Sequence, residues 1–256
     1  MRAFFATAKL CIRSRNDFGL LWLLGEYLLK LITLFAQWMV WCAILPEGVE
    51  IDGMTRASML IYITVSSALF PMLDVRTPAS GWLHDGTMLS LFMRPSSVYV
   101  QLIAHTMGGW LIPLAFYGLP LMLFISLLGY APVPASPWFF LSLLLCVLQG
   151  FAVDFLFACL LIRMNNLEWQ MFCMRNALTA LLTGALIPFA ALPWGMGRWL
   201  ELSPLGTLAG APLALLAGTG EPVRLLCAQV FWNLVLWPLA VKAFNASRER
   251  MVSYGG

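Results

Sequence analysis

The stretch TGALIPFAALPWGMGRWLELSPLGTLAGAPLALLAG, residues 183–218, is apolar but repeatedly broken by proline and glycine. A long apolar helix ends at Pro188, and the residues beyond it are too interrupted to cross a bilayer. Helices in lipid must satisfy every backbone polar group internally. A break at membrane depth is therefore tolerated only inside protein or beside a cavity. The stretch reads as a helical membrane protein that acts on a solute, with residues 193–218 as a re-entrant segment before the last span.

Composition agrees with that class. The 256 residues are 61% hydrophobic and 11% charged, against roughly 25% charged in soluble domains. The apolar runs are continuous and not alternating, which excludes a transmembrane β-barrel. Residues 1–17 alternate basic and apolar and lack a cleavage site of small residues, so no signal peptide is expected. The six cysteines are scattered without a CxxC and read as small hydrophobes.

The spans are set by a need for about 20 apolar residues each. Residues 1–20 place Phe4, Phe5, Ala8, Cys11 and Ile12 near one face and Lys9, Arg13 and Arg15 away from it, an interfacial amphipathic helix on an anionic leaflet. Spans are expected at 22–45, 55–75, 97–129, 138–162, 169–190 and 222–244, six in all, the third interrupted by Pro113 and Pro120. Glu26 and Lys30 open the first span at i,i+4 spacing. With the N-terminus cytoplasmic, twelve Lys and Arg residues fall inside and only Arg56, Arg198 and Arg224 outside. The positive-inside rule then gives an all-α polytopic protein with both termini cytoplasmic.

No bond chemistry is legible. GxxxxGK[ST], HExxH, GxSxG and His/Cys clusters at metal spacing are absent, and the chain has three lysines. No nucleic-acid partner is expected. Two acidic residues stand in or near spans: Asp154 within the fourth, Asp74 at the inner end of the second. An ionisable group in lipid is expensive and marks a functional site or a buried pair. For Asp154 the reading is a structural pair with Arg175 or Arg163, and for Asp74 an interfacial place beside Arg76. The segment 76–95, RTPASGWLHDGTMLSLFMRP, has apolar anchors (Trp82, Leu83, Met88, Leu89, Phe92) and a polar face (His84, Asp85, Arg94). It reads equally as an interfacial loop or as a docking helix for a soluble partner.

Four blocks together resemble a known family. They are RSRNDF (13–18) before the first span; HDGTMLSLFMRPSSVYVQLIAHTMG (84–108), like a G-x-L-x-x-x-L-x-R-P passage; residues 183–212, like SGALIPLxxLPxxLxxLLxxLPF; and AQVFWNLVLWPLAVKAFNASRERMVSYGG (228–256), like a Q-x-x-W passage with a basic Gly-Gly ending. In order and with this topology, they resemble the membrane-spanning permease subunits of bacterial type-2 ABC exporters.

The resemblance implies a single permease domain over 1–256 in the bacterial cytoplasmic (inner) membrane, paired with a second permease, identical or related. Each permease would sit on a separate ABC ATPase subunit. This chain would bind no cofactor; ATP and Mg2+ would belong to the ATPase. Residues 76–95 would be the coupling element. The substrate path would run between the two copies, with Gln37, Trp38, Trp41, Ser66, Ser67, Phe70, Asn176 and Thr179 as lining candidates. The re-entrant segment would close the outer end, with Pro188, Pro193, Trp194 and Pro204 as its gate. A broad apolar lining suits a hydrophobic or amphipathic cargo: lipid, peptide, glycan or drug. The rivals are an ion-coupled transporter working through Asp154, an intramembrane enzyme, and a membrane anchor that recruits an ATPase without transport.

Overall fold

The computed structural model describes residues 20–254 apart from Glu47, Asp52, Asp85, Gly86, Asn165 and Asn166. The expected interfacial helix at 1–20 lies outside the described residues but for its last. The described chain is helical: α1 (Leu20–Ile44), α2 (Arg56–Ala68), α3 (Phe70–Leu73), α4 (Ala79–His84), α5 (Met88–Phe92), α6 (Val98–Pro113), α7 (Leu119–Leu127), α8 (Trp138–Arg163), α9 (Glu168–Leu182), α10 (Met196–Leu200), α11 (Gly206–Ala217) and α12 (Pro222–Tyr254). Among the described residues, four helices are long and apolar enough to cross a membrane: Leu24–Ile44, Val98–Leu127, Trp138–Arg163 and Pro222–Ser247. This is the make-up of a multi-pass membrane protein.

The other two expected spans are shorter than their apolar content suggested. The stretch expected at 55–75 is divided at Leu69 into α2 and α3, with Pro71 in the first turn of α3. The span expected at 169–190 ends at Leu182 as α9, and the chain from Thr183 onward bends without regular helix until short 3-10 turns begin at Phe189. The third span differs the other way. Pro113 and Pro120 do not break it, because a π turn over Leu114–Gly118 joins α6 to α7. A proline removes one hydrogen bond and crowds the carbonyl four residues back. The wider turn takes the Leu119 amide to the Leu114 carbonyl instead and absorbs the strain.

Helix α8 is the central element, with 72% of its apolar window buried against 17% for α1. It runs parallel to α12 and antiparallel to α11. Ser142 pairs with Gln229 (2.8 Å), the Leu145 carbonyl with Asn233 (3.1 Å), and Phe155 lies against Trp237 (6.1 Å) and Phe244 (6.0 Å). On α11, Thr207 meets Gln149 (2.9 Å), whereas the Leu216 carbonyl accepts from the Ala135 amide, just before α8 begins (3.1 Å).

Lipid tails are as apolar as leucine, so helices in a membrane associate through close packing of small residues and through interhelical hydrogen bonds. Both means are present. Ala152, Ala158, Ala209, Ala211 and Ala240 are fully buried at these contacts. Gln229 donates to the carbonyls of Thr207 (2.9 Å) and Ser142 (3.1 Å), and Gln149 donates to the Pro204 carbonyl (2.6 Å). A second core lies between α1, α2, α8 and α11, built on Leu45, Met59, Tyr62, Phe139 and Leu213.

The segment between α9 and α12 traces a path set by its depth markers. The Arg198 carbonyl accepts from Arg224 (3.4 Å), in the first turn of α12, and the Leu202 carbonyl accepts from Trp232 (2.8 Å), eight residues further along α12. Eight residues of helix rise about 12 Å. From Pro204, level with Gln149 in the middle of α8, α11 returns to the level of Ala135.

Candidate functional site

A cavity of about 420 Å³ lies between α1, α2, α3, α9 and the bend after α9. Each helix presents a polar stripe to it at helical spacing: Lys30, Thr33 and Gln37 from α1; Ser66 and Ser67, continued by Phe70 at the start of α3; Asn176, Thr179 and Thr183 from α9 and its C-cap. Positions three and four apart share a helix face. Leu29, Leu34, Ile63, Leu73 and Leu186 supply apolar wall between the stripes. Leu29, Thr33, Phe70 and Leu186 are exposed, so the cavity opens on the surface of the chain.

Six of the residues expected along a substrate path meet here: Gln37, Ser66, Ser67, Phe70, Asn176 and Thr179. Trp38 and Trp41 do not. The Trp38 indole donates to Thr64 Oγ1 (3.1 Å), and Trp41 is buried in the α1–α2 core. Gln37 and Trp38 are adjacent, and one residue of helix turns the side chain by about 100°, enough to carry Trp38 from cavity to core. Lys30, Thr33, Asp74, Arg76 and Thr183 line the cavity without having been expected there; the Lys30-Thr33-Gln37 spacing is the signal that could have found the first two.

One end of the cavity is an ion network. Arg175 on α9 pairs with Asp154 on α8 and lies 3.4 Å from Asp74, and it donates to the Val75 carbonyl (2.6 Å). Arg76 pairs with Asp74 through Nε (2.8 Å) and reaches Asn176 Oδ1 (2.7 Å). The second oxygen of Asp154 accepts from the Thr77 amide (3.0 Å) and the Thr77 hydroxyl. Two carboxylates and two guanidiniums balance, and Asp154 and Arg175 are almost wholly buried. Asp74 is therefore more than an interfacial partner of Arg76: it is shared between two arginines from different parts of the chain.

Gly150 makes this geometry possible. A Cβ there would lie 2.7 Å from Val75 Cγ2, so only glycine lets residues 74–77 lie directly on α8. Asp154, one turn further on the same face, then reaches Thr77. Only Met171, Arg175 and Thr179 of α9 are buried, so the network is the principal polar tie between α9 and the rest of the chain.

Residues 76–95 form α4 and α5 across one end of the bundle. Their apolar anchors face inward. Met88 and Leu91 are fully buried, and Trp82 and Phe92 pack on the core beside α8 and α12. The Trp82 ring meets His105 edge-on at 4.7 Å, which makes His105 a packed residue. The contacts of Trp82, Met88 and Phe92 hold the segment to the bundle, as apolar anchors do. Leu89 is half-buried, while Met93 and Arg94 stand exposed. Asp85 lies outside the described residues, as do the side chains of Leu83 and His84. Ser97 caps α6 (3.4 Å), and Gln101 donates to the carbonyls of Leu91 (3.1 Å) and Ser96 (2.9 Å), fixing α5 against α6.

At the opposite end, Pro188, Phe189, Gly197, Arg198, Glu201, Thr219, Glu221 and Arg224 surround a second, more polar cavity of about 250 Å³. Of the expected gate residues, Pro188 lines it, and Trp194 is not on its lining and is 92% exposed. Pro204 lies deeper, where its carbonyl caps Gln149, and Pro193 opens a 3-10 turn.

No protein-family model matches this chain, and no curated protein matches it in sequence.

Proposed function

We propose that this chain is the membrane-spanning permease subunit of an ABC exporter, driven by a separate ATPase and working as a pair of identical or related permeases. The observation that carries the reading is the cavity between α1, α2 and α9, mixed in polarity, open at the surface and ending in a balanced ion network. Such a lining suits an amphipathic cargo: lipid, peptide, glycan or drug. The bend after α2 and the peripheral position of α9 give the cavity walls that can shift between two packings. An ATPase can bias that equilibrium only through contacts that differ between the two states.

In this reading the chain has six crossings, counting α2–α3 and α9 with the four long helices, and the α10–α11 unit is re-entrant from the outer face. Both termini lie in the cytoplasm of a bacterial cell, the protein in its inner membrane. Residues 76–95 form the coupling segment, and the ATPase meets it at half-buried Leu89 and at the exposed Met93 and Arg94. ATP and Mg2+ stay on the partner. An ion-coupled mechanism through Asp154 fits less well, because both of its oxygens are already engaged by Arg175 and Thr77.

The test is co-purification. Met93→Glu combined with Arg94→Glu should abolish recovery of an ATPase with the tagged chain while the chain still inserts and melts like the parent. Unchanged ATPase recovery would overturn the docking role.

A further inference from the structure

We propose that the cavity beneath residues 188–201 is a binding site for the zwitterionic headgroup of a phosphatidylethanolamine-type lipid, with the two neighbouring tryptophans seated in the membrane interface. The reasoning begins with the backbone. Trp194 has φ 57° and Gly195 φ 70°, two successive left-handed residues. For a bulky residue such as tryptophan that conformation is strained. The reversal folds residues 196–200 back over Phe189 so tightly that a Cβ on Gly197 would lie 2.1 Å from the Phe189 carbonyl oxygen. The outcome is two indoles held outward, Trp194 at 92% and Trp199 at 83% exposure. This is the end at which the membrane-length helices α8 and α12 begin. Tryptophan is enriched at that level because its ring is apolar and its N–H is wet.

Beneath the indoles the cavity carries both signs of charge. Arg198 and Arg224 stand on one lining with Glu201 and Glu221. The Arg224 guanidinium donates to the Arg198 carbonyl (3.4 Å), which brings the two arginine positions together. Among the described residues, neither guanidinium forms an ion pair. Arg224 also sits in the first turn of α12, where the helix dipole disfavours a cation. A planar guanidinium suits a phosphate. The cavity is smaller than the ~300–1,000 Å³ of drug-sized sites, which limits its occupant to a headgroup. The two arginines and Glu221 match a ligand that itself carries both signs: the phosphate takes Arg198 and Arg224, and the ammonium takes Glu221. A purely anionic headgroup would have no group to answer Glu221.

The experiment is native mass spectrometry of the detergent-purified full chain, titrated with phosphatidylethanolamine, with phosphatidylglycerol and with soluble phosphoethanolamine. Phosphatidylethanolamine should bind about tenfold more tightly than phosphatidylglycerol, the scale of one charge-assisted hydrogen bond. R198Q/R224Q should lose this preference and most of the binding, at an unchanged melting temperature. E221Q should weaken phosphatidylethanolamine alone. Soluble phosphoethanolamine should compete poorly, since it lacks the glycerol and acyl region beside the indoles. Equal binding of the two lipids, or full binding by R198Q/R224Q, would overturn the site. Competition by phosphoethanolamine as strong as by the lipid would overturn its assignment to a membrane lipid. None of these readouts depends on an ATPase partner.

Discussion

Replacing Asp154 by asparagine should destabilise the chain without first touching transport. Asp154 is buried, and its charge answers that of Arg175, with Asp74 a weaker second partner at 3.4 Å. Removing one member of a buried pair costs about 3–5 kcal/mol, because the other charge is left uncompensated. Asparagine keeps an oxygen for the Thr77 amide, and Asp74 still faces Arg175, so the cost falls near the lower end, about 3 kcal/mol. For a chain of this size each kcal/mol moves the melting temperature by about 2–4 °C, so the drop should be about 6–12 °C. The assay is thermal unfolding of detergent-purified protein, monitored by intrinsic tryptophan fluorescence. The double variant D154N/R175M removes both charges of the pair and should be less destabilised than the sum of its single changes by about 1 kcal/mol or more. A D154N protein that melts within about 2 °C of the parent but transports nothing would refute the structural role and favour an ion path through Asp154.

Further consequences concern the elements around the network. Gly150→Val should cost about 1–3 kcal/mol by overpacking, because its side chain would collide with Val75, already 2.7 Å from an added Cβ; the same melting assay reads it. Trp82→Ala should lower the melting temperature by releasing α4 from His105 and the core, whereas Arg94→Glu should leave it unchanged and act only on ATPase recovery. Thr179→Trp projects into the 420 Å³ cavity; it should block export in cells while the protein is produced and inserted normally, and full export would exclude this cavity from the path.

Much of the architecture was legible in the sequence. The long helices are set by apolar run length, and Asp154 could be given Arg175 or Arg163 as a partner because a charge at that depth needs one; the fold brings Arg175 to it. The Gln37, Ser66, Ser67, Asn176 and Thr179 positions were found because small polar residues stand out on apolar helices. Orientation was harder to read. Lipid-facing and protein-facing surfaces are both apolar, so Trp38 and Trp41 gave no sign that they turn from the cavity into the α1–α2 core. For the same reason the apolar anchors Trp82, Met88 and Phe92 left residues 76–95 open between an interfacial loop and a docking helix; the contacts show which side of the segment they hold to the bundle. Pro113 and Pro120 suggested an interruption because their local cost is known. The π turn that removes the cost depends on neighbouring helices that no local pattern encodes. The ends of α2 and α9 were overestimated because apolar content continues past the last helical hydrogen bond, at Leu69 and Thr183.

The central claim is that another chain supplies the energy. The most direct measurement is affinity purification of the tagged full chain in mild detergent, with mass spectrometry of the proteins that accompany it. The account predicts a stoichiometric P-loop ATPase, with or without a second permease. A chain that purifies alone, with no ATPase even after crosslinking in the membrane, would contradict it.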